Sequence, residues 1–304
     1  MPLRHDPRRG ALLMLLANAL FTCMSAMVKA LGGDIPFVEV MFFRSAFALP
    51  VVALILARSS AGWRSLRTRR IRGHVLRACT GTLAQGCSFF ALTVLPLAVQ
   101  TALGYTTPLF VTILAIPFLG ERVGLHRWSA VLAGFLGVLV IAGSQGVLGG
   151  ELAGGTLLAL GTAAAAAQGL FSALTTLLVR QLSSTESATT ITMWQSVLMT
   201  ALTLVALPFL WVTPDAHDLM LLVLVGIVGG AAQWTLTEAW ASAQVSALAP
   251  YTYSALLWSI ALGWIVWGEL PEGGMLAGAA LIVGAGLFIL HREVLLRRTR
   301  EVRA

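Results

Sequence analysis

The chain has 304 residues, 58% of them hydrophobic and only 11% charged, with a net charge of +7. A water-soluble domain carries about 25% charged residues, so a water-soluble fold is excluded. The surplus positive charge needs no nucleic acid, because its arginines sit at the edges of apolar runs, where they favour anionic lipid head groups.

The runs are long enough to cross a bilayer, whose ~30 Å core takes about 20 apolar residues as a helix. The first, 10–31, follows Arg4, Arg8 and Arg9 like the start of a signal peptide. It is long, holds Asn18 and lacks a convincing cleavage site, so it reads as the first span. Span 36–57 carries Glu39 and Arg44, and a basic connection from Arg58 to Arg72 leads to 72–95, with Gln85. Then come 97–118 with Tyr105, 125–143, 153–180 with Gln168, and 187–211 with Trp194 and Gln195. The last three are 218–240 with Gln233 and Glu238, 246–267 with Tyr253 and Trp258, and 273–291, followed by a basic tail. Ten spans place all of the 20 Lys and Arg except Lys29 and Arg44 on the side of the N-terminus, and the positive-inside rule makes that side, with both termini, cytoplasmic. Cys23, Cys79 and Cys87 lie inside apolar runs without C-x-x-C spacing and read as small packing residues; no metal site is expected.

The second half repeats the first. At an offset of 148, "GTLAQ" from Gly81 meets "GGAAQ" from Gly229, Tyr105 meets Tyr253, and Gly120-Glu121 meets Gly268-Glu269. Upstream the offset is 150 or 151: "ANALF" from Ala17 meets "AQGLF", and "FFRS" from Phe42 meets "MWQS". Five spans per copy is an odd number, so the copies, 1–147 and 148–304, are inverted in the membrane, the arrangement of many secondary transporters. The fold class is an all-α polytopic membrane protein of ten transmembrane helices, two inverted five-helix repeats around a central cavity. Both Gly-Glu pairs read as turns, with Gly ending a helix and Glu accepting hydrogen bonds from the start of the next one.

With the "LGE" and "WGE" ends of spans 4 and 9, the chain resembles EamA-type transporters of the drug/metabolite transporter superfamily over essentially its whole length. The resemblance implies a basket of ten helices in a bacterial-type inner membrane, with spans 5 and 10 more peripheral. It also implies export or permeation of small polar metabolites. Amino acids are the favoured class; nucleosides or purines, vitamins and adenosylated compounds are the alternatives.

Polar groups inside the spans fall at matched positions: Asn18 with Gln168, Gln85 with Gln233, Tyr105 with Tyr253, and Arg44 with Gln195. Amides and phenols glue helices together; a cluster of them near a midplane axis also marks a substrate path. Both readings stay open. Trp194 and Trp258 are deep enough to stack on a substrate, or to pack. Arg44 attracts a substrate carboxylate, snorkels, or pairs with Glu39; Lys29 is expected to snorkel outward. Glu238 is the candidate for proton coupling, with a surface hydrogen bond as its rival role. Pro108 and Pro250 are placed to kink spans 4 and 9. The five histidines scatter near the span ends and no deep nucleophile–base pair occurs, so an enzyme is not expected. No G-x-x-x-x-G-K-[ST] loop is present, so energy comes from a substrate or proton gradient rather than ATP. The expected partners are a small-molecule substrate, membrane lipid and protons as the candidate coupling ion, with no cofactor and a monomeric or homodimeric state.

Overall fold

The computed structural model describes residues 7–58, 68, 70–119, 125–144, 154–182, 185–186, 188–242, 248 and 251–301. These form helices and connections with no strand among the described residues: α1 (Pro7–Ala30), α2 (Phe37–Arg58), α3 (Ile71–Val94), α4 (Leu97–Gly104), α5 (Thr107–Leu119), α6 (Leu125–Ser144), α7 (Gly154–Leu182), α8 (Ala188–Leu210), α9 (Ala216–Ser242), α10 (Ser254–Trp267) and α11 (Gly273–Glu301). Helix is the form that satisfies every backbone N–H and C=O within one segment, as lipid requires. Among the described residues, six stretches are long and apolar enough to cross a membrane: Arg8–Ala30, Phe37–Leu54, Leu97–Leu114, Thr156–Val179, Thr190–Leu210 and Ala216–Leu236. Shorter apolar helices cover Trp128–Ser144, Ser254–Trp267 and Gly273–Ile289. Large apolar side chains face outward, with Phe209 85% exposed, which suits a lipid surround and not water. The protein is a multi-pass membrane protein.

Helix α1 packs along α9, and α3 along α7. Helix α2 lies on both α8 and α9, and α6 packs chiefly on α11. The α6–α11 crossing is close because Gly137 and Gly278 face one another: a Cβ on Gly278 would stand 2.6 Å from the Gly137 carbonyl oxygen. Met24, Met41, Phe89, Leu92 and Met199 centre one apolar core between α1, α2, α3 and α8. Ala91, Leu103, Ile141, Met275 and Ile282 centre another beside α4, α6 and α11.

The expected span 97–118 is broken in two. Between α4 and α5 the chain turns at Tyr105 and Thr106, whose N–H groups reach back three residues, to Ala102 O at 3.2 Å and Leu103 O at 3.1 Å. Pro108, lacking an N–H, leaves the Gly104 carbonyl for the Thr107 hydroxyl, which donates to it at 2.9 Å. A similar turn occurs at Tyr253, before α10. Helix α11 also outruns the expected span, its backbone staying helical through the basic tail to Glu301.

One end of the bundle carries the end of α1, the α3–α4 turn and the α10–α11 turn. At this Glu269 end, α10 stops on Gly268, whose φ of 68° is the left-handed form that glycine adopts without strain. Its partner pair Gly120-Glu121 lies outside the described residues, as does Pro250. Glu269 does not bind the start of the helix that follows it. Its Oε2 accepts the backbone N–H of Leu97 at 3.2 Å, at the start of α4 in the other half, where the helix dipole favours a carboxylate. Its Oε1 pairs with Lys29 Nζ, which also donates to the Leu95 carbonyl at 3.0 Å and lies 5.3 Å from the Trp267 ring centre. Lys29 therefore turns inward to bind these groups instead of snorkelling: only 13% of its side chain is exposed. At the opposite end Arg9 meets Glu238 at 3.7 Å, and Arg70 donates to the Gln181 carbonyl at 3.0 Å.

Candidate functional site

The two helix breaks meet at the middle of the bundle. Tyr105 and Tyr253, one at each break, sit edge to face with ring centres 4.9 Å apart. The Tyr105 hydroxyl donates to the Thr252 carbonyl at 3.3 Å and accepts the Leu256 N–H at 3.1 Å, bridging the second break from the first. The Tyr253 hydroxyl faces Gly286 of α11, where no side chain intervenes. Asn18, buried on α1, holds the second break directly. Its amide protons are shared among the Tyr251 carbonyl at 2.8 Å, the Thr252 carbonyl at 3.2 Å and the Ser254 hydroxyl at 3.0 Å.

Gln168 on α7 occupies the matched place at the first break, against Gly104, where a Cβ would lie 3.3 Å from its Nε2. It serves a side chain and not the backbone: Gln100 Nε2 donates to Gln168 Oε1 at 2.8 Å and to Ser88 Oγ at 2.9 Å. Ser88 lies one helical turn beyond Gln85 on α3, and Gln85 Oε1 accepts Arg44 Nη1 at 2.9 Å. Arg44, Gln195 and Gln233 line a small cavity of about 20 Å³ between α2, α8 and α9, room for about one water. Gln195 packs on Gly81, where a Cβ would stand 3.2 Å from its Nε2, and Arg44 lies over Gly229. The Arg44 Nε is buried with no hydrogen-bond partner among the described residues. Arg44 and Glu39 do not pair: Glu39, fully buried, accepts the Val212 N–H at 3.1 Å.

The remaining candidates lie apart from this chain of amides. Trp194 meets α3 two turns from the place where Gln195 does, its ring 5.9 Å from buried His74. Trp258 is 42% exposed on α10. Glu238 forms its ion pair with Arg9 at the surface, with both side chains close to half exposed.

Gln100, which ties Ser88 to Gln168, escaped the sequence reading. Its mate at the offset of 148 is Leu248, so matching the repeats for polar pairs passes over it. The signal that finds it is an amide four residues into α4, one turn before the break. The grouping of Asp215, His217 and Asp218 has a structural explanation: Asp215 Oδ1 accepts the Asp218 N–H at 2.7 Å and caps α9.

The chain resembles known proteins over nearly its full length. It is 32% identical over 298 residues to the riboflavin transporter of Vibrio cholerae serotype O1, covering 96% of each chain. It is 28% identical over 284 residues to the pseudopaline exporter CntI of Pseudomonas aeruginosa, covering 91% of this chain and 94% of that one. A solved crystal structure superposes with a TM-score of 0.63 over 93% of this chain and 98% of its own, at 21% identity, a likeness of fold alone. The model of the EamA-like transporter family matches residues 8–143 and again 159–291. With nearly all of its length matched in this way, the chain belongs to the EamA-like transporter family and is a transporter, not an enzyme.

Proposed function

We propose that the protein is a secondary transporter which carries a small polar metabolite across a bacterial inner membrane by alternating access, with its substrate at the junction of the two helix breaks. The meeting of Tyr105 and Tyr253 carries this reading, because discontinuous helices at the repeat interface are where such transporters bind their substrates. The packing of α1 on α9 beside α3 on α7, and two matches to one family model, support two inverted five-span repeats, 1–147 and 148–304. The placement of the arginines supports ten spans with both termini cytoplasmic. The Lys29–Glu269–Leu97 contacts then close the outer face. The substrate site comprises Asn18, Arg44, Gln85, Tyr105, Gln168, Gln195, Gln233 and Tyr253, with Gln100 added, and Trp194 and Trp258 on its margins. Glu238, paired with Arg9, is the candidate for coupling transport to protons. The working unit is a monomer or a homodimer.

The substrate we assign is a ring-bearing vitamin of the riboflavin kind, on the strength of the 32% identity to the Vibrio cholerae protein. Amides and phenols offer donors and acceptors without fixed charge, as a hydroxylated metabolite requires. The free Arg44 Nε favours amino acids as a second reading, since it is placed to bind a carboxylate.

Uptake of radiolabelled riboflavin into proteoliposomes, with and without a pH gradient, tests the assignment. Saturable uptake that falls in Gln168→Ala is expected. Uptake of an amino acid that excess riboflavin leaves untouched would overturn the vitamin in favour of the second reading.

A further inference from the structure

A second cavity, of about 390 Å³, opens between α2, α3, α7 and α8 toward the Glu269 end. Its walls are almost wholly apolar and include Phe37, Met41, Cys87 and Phe90. The rings of Phe37 and Phe90 stand edge to face with centres 6.5 Å apart. Gly86 leaves the wall flat: a Cβ there would come within 3.4 Å of the Phe37 ring and 3.5 Å of Met41 Sδ. Two hydroxyls interrupt the apolar lining, those of Thr82 and Thr203, and the Thr203 hydroxyl donates to the Met199 carbonyl at 2.8 Å. Thr82 Oγ1 is buried and has no hydrogen-bond partner among the described residues, which is rare unless a ligand or water supplies one.

The polar cluster begins one turn away on three helices. Met41 lines the apolar cavity, and Arg44 and Ser45 follow on α2. Thr82 lines it, and Gln85, which holds Arg44, follows on α3. Leu202 and Thr203 line it, while Met199, a turn earlier on α8, lines the small cavity with Gln195. An apolar compartment with aromatic and sulfur walls thus adjoins an arginine–amide compartment. Ligand pockets of roughly 300–1,000 Å³ have this make-up, apolar walls with a few placed polar groups. Aromatic edges and thioether or thiol sulfur favour a flat ring.

We propose that this cavity receives the planar fused heteroaromatic ring of the substrate, and that the hydroxylated tail extends toward Arg44 and Gln85. The inference rests on the proposed vitamin reading and deepens it. Thr82 donates its hydroxyl proton to a ring carbonyl or ring nitrogen. A lipid acyl chain, the rival occupant, would have no use for that hydroxyl.

Cys87 in the wall supplies the test. The Cys23→Ala, Cys79→Ala protein in nanodiscs is titrated with riboflavin by flavin fluorescence, and the alkylation of Cys87 by N-ethylmaleimide is timed. Riboflavin and lumichrome, the ring without the tail, are expected to slow alkylation at least tenfold, and ribitol, the tail alone, to leave it unchanged. In the otherwise wild-type protein, Thr82→Val is expected to weaken riboflavin binding about fivefold, the effect of losing one hydrogen bond. Cys87→Phe, which fills the cavity, is expected to abolish binding while the melting temperature holds. Riboflavin binding with an unchanged alkylation rate and normal affinity in Thr82→Val would overturn this placement and leave the proposed function standing. Alkylation slowed by added phospholipid and not by flavin would assign the cavity to lipid and overturn it as well. No flavin binding in any protein, the unsubstituted one included, would remove both.

Discussion

The two helix breaks are matched in sequence and held in different ways. At the Tyr253 break, Asn18 grips the backbone carbonyls of Tyr251 and Thr252. At the Tyr105 break, Gln168 at the matched position binds the Gln100 side chain, which in turn binds Ser88. A side chain that satisfies buried backbone cannot leave without exposing unpaired carbonyls, and so it fixes local structure. A side-chain relay can exchange one partner for a substrate group at little cost. On the proposed reading, Asn18 shapes the site by holding its backbone and the Gln168–Gln100–Ser88 relay handles substrate, a division that the repeat alone does not show.

The largest expected effect breaks the architectural side. Asn18→Leu strands the Tyr251 carbonyl and leaves the Thr252 carbonyl to the longer Tyr105 bond, and should destabilise the protein by about 2 kcal/mol, seen as the lowest melting temperature of the set in detergent. Next comes the Glu269 end. Lys29→Met leaves a carboxylate with 26% of its side chain exposed facing the start of α4. Its cost should lie between that of an exposed pair and a buried one, about 1–2 kcal/mol, and Glu269→Gln made on top should restore part of the lost melting temperature. Gln100→Leu makes the first break resemble the second, where Leu248 stands. It should cost about 0.6 kcal/mol in stability while lowering uptake several-fold, so that stability and transport part company. Equal losses of both would erase the contrast between the breaks. The smallest effect belongs to Glu238→Gln: its surface pair with Arg9 should leave stability within about 0.5 kcal/mol. Uptake should lose its response to a pH gradient, and a response that persists would remove Glu238 from coupling.

Much of this was legible in the chain. Apolar runs of spanning length gave helices because lipid leaves the backbone few other forms. The offset of 148 paired Tyr105 with Tyr253, and the structure brings their rings together. Other features were not legible, for identifiable reasons. Lys29 and Glu269 are 240 residues apart, and hydropathy does not say which turns of opposite halves touch. The lysine looked like a snorkelling end residue because its partners are a carboxylate and a carbonyl from two distant turns. Glu39 and Arg44 share one helix and looked like a pair, but five residues is not helical contact spacing, and each found a partner elsewhere. Pro108 marks a weak point in span 4, yet the turn itself falls at Tyr105, where the folded chain puts the side chain to use.

Alternating access requires the Glu269 end to open while the opposite end closes, and a cross-link across that end tests this most directly. In protein with Cys23, Cys79 and Cys87 replaced by serine, Lys29→Cys and Glu269→Cys are joined by a short bifunctional methanethiosulfonate, and riboflavin uptake is measured before and after reduction. The account predicts that the cross-link stops uptake and that reductant restores it. Uptake at the full rate with the cross-link complete would contradict it.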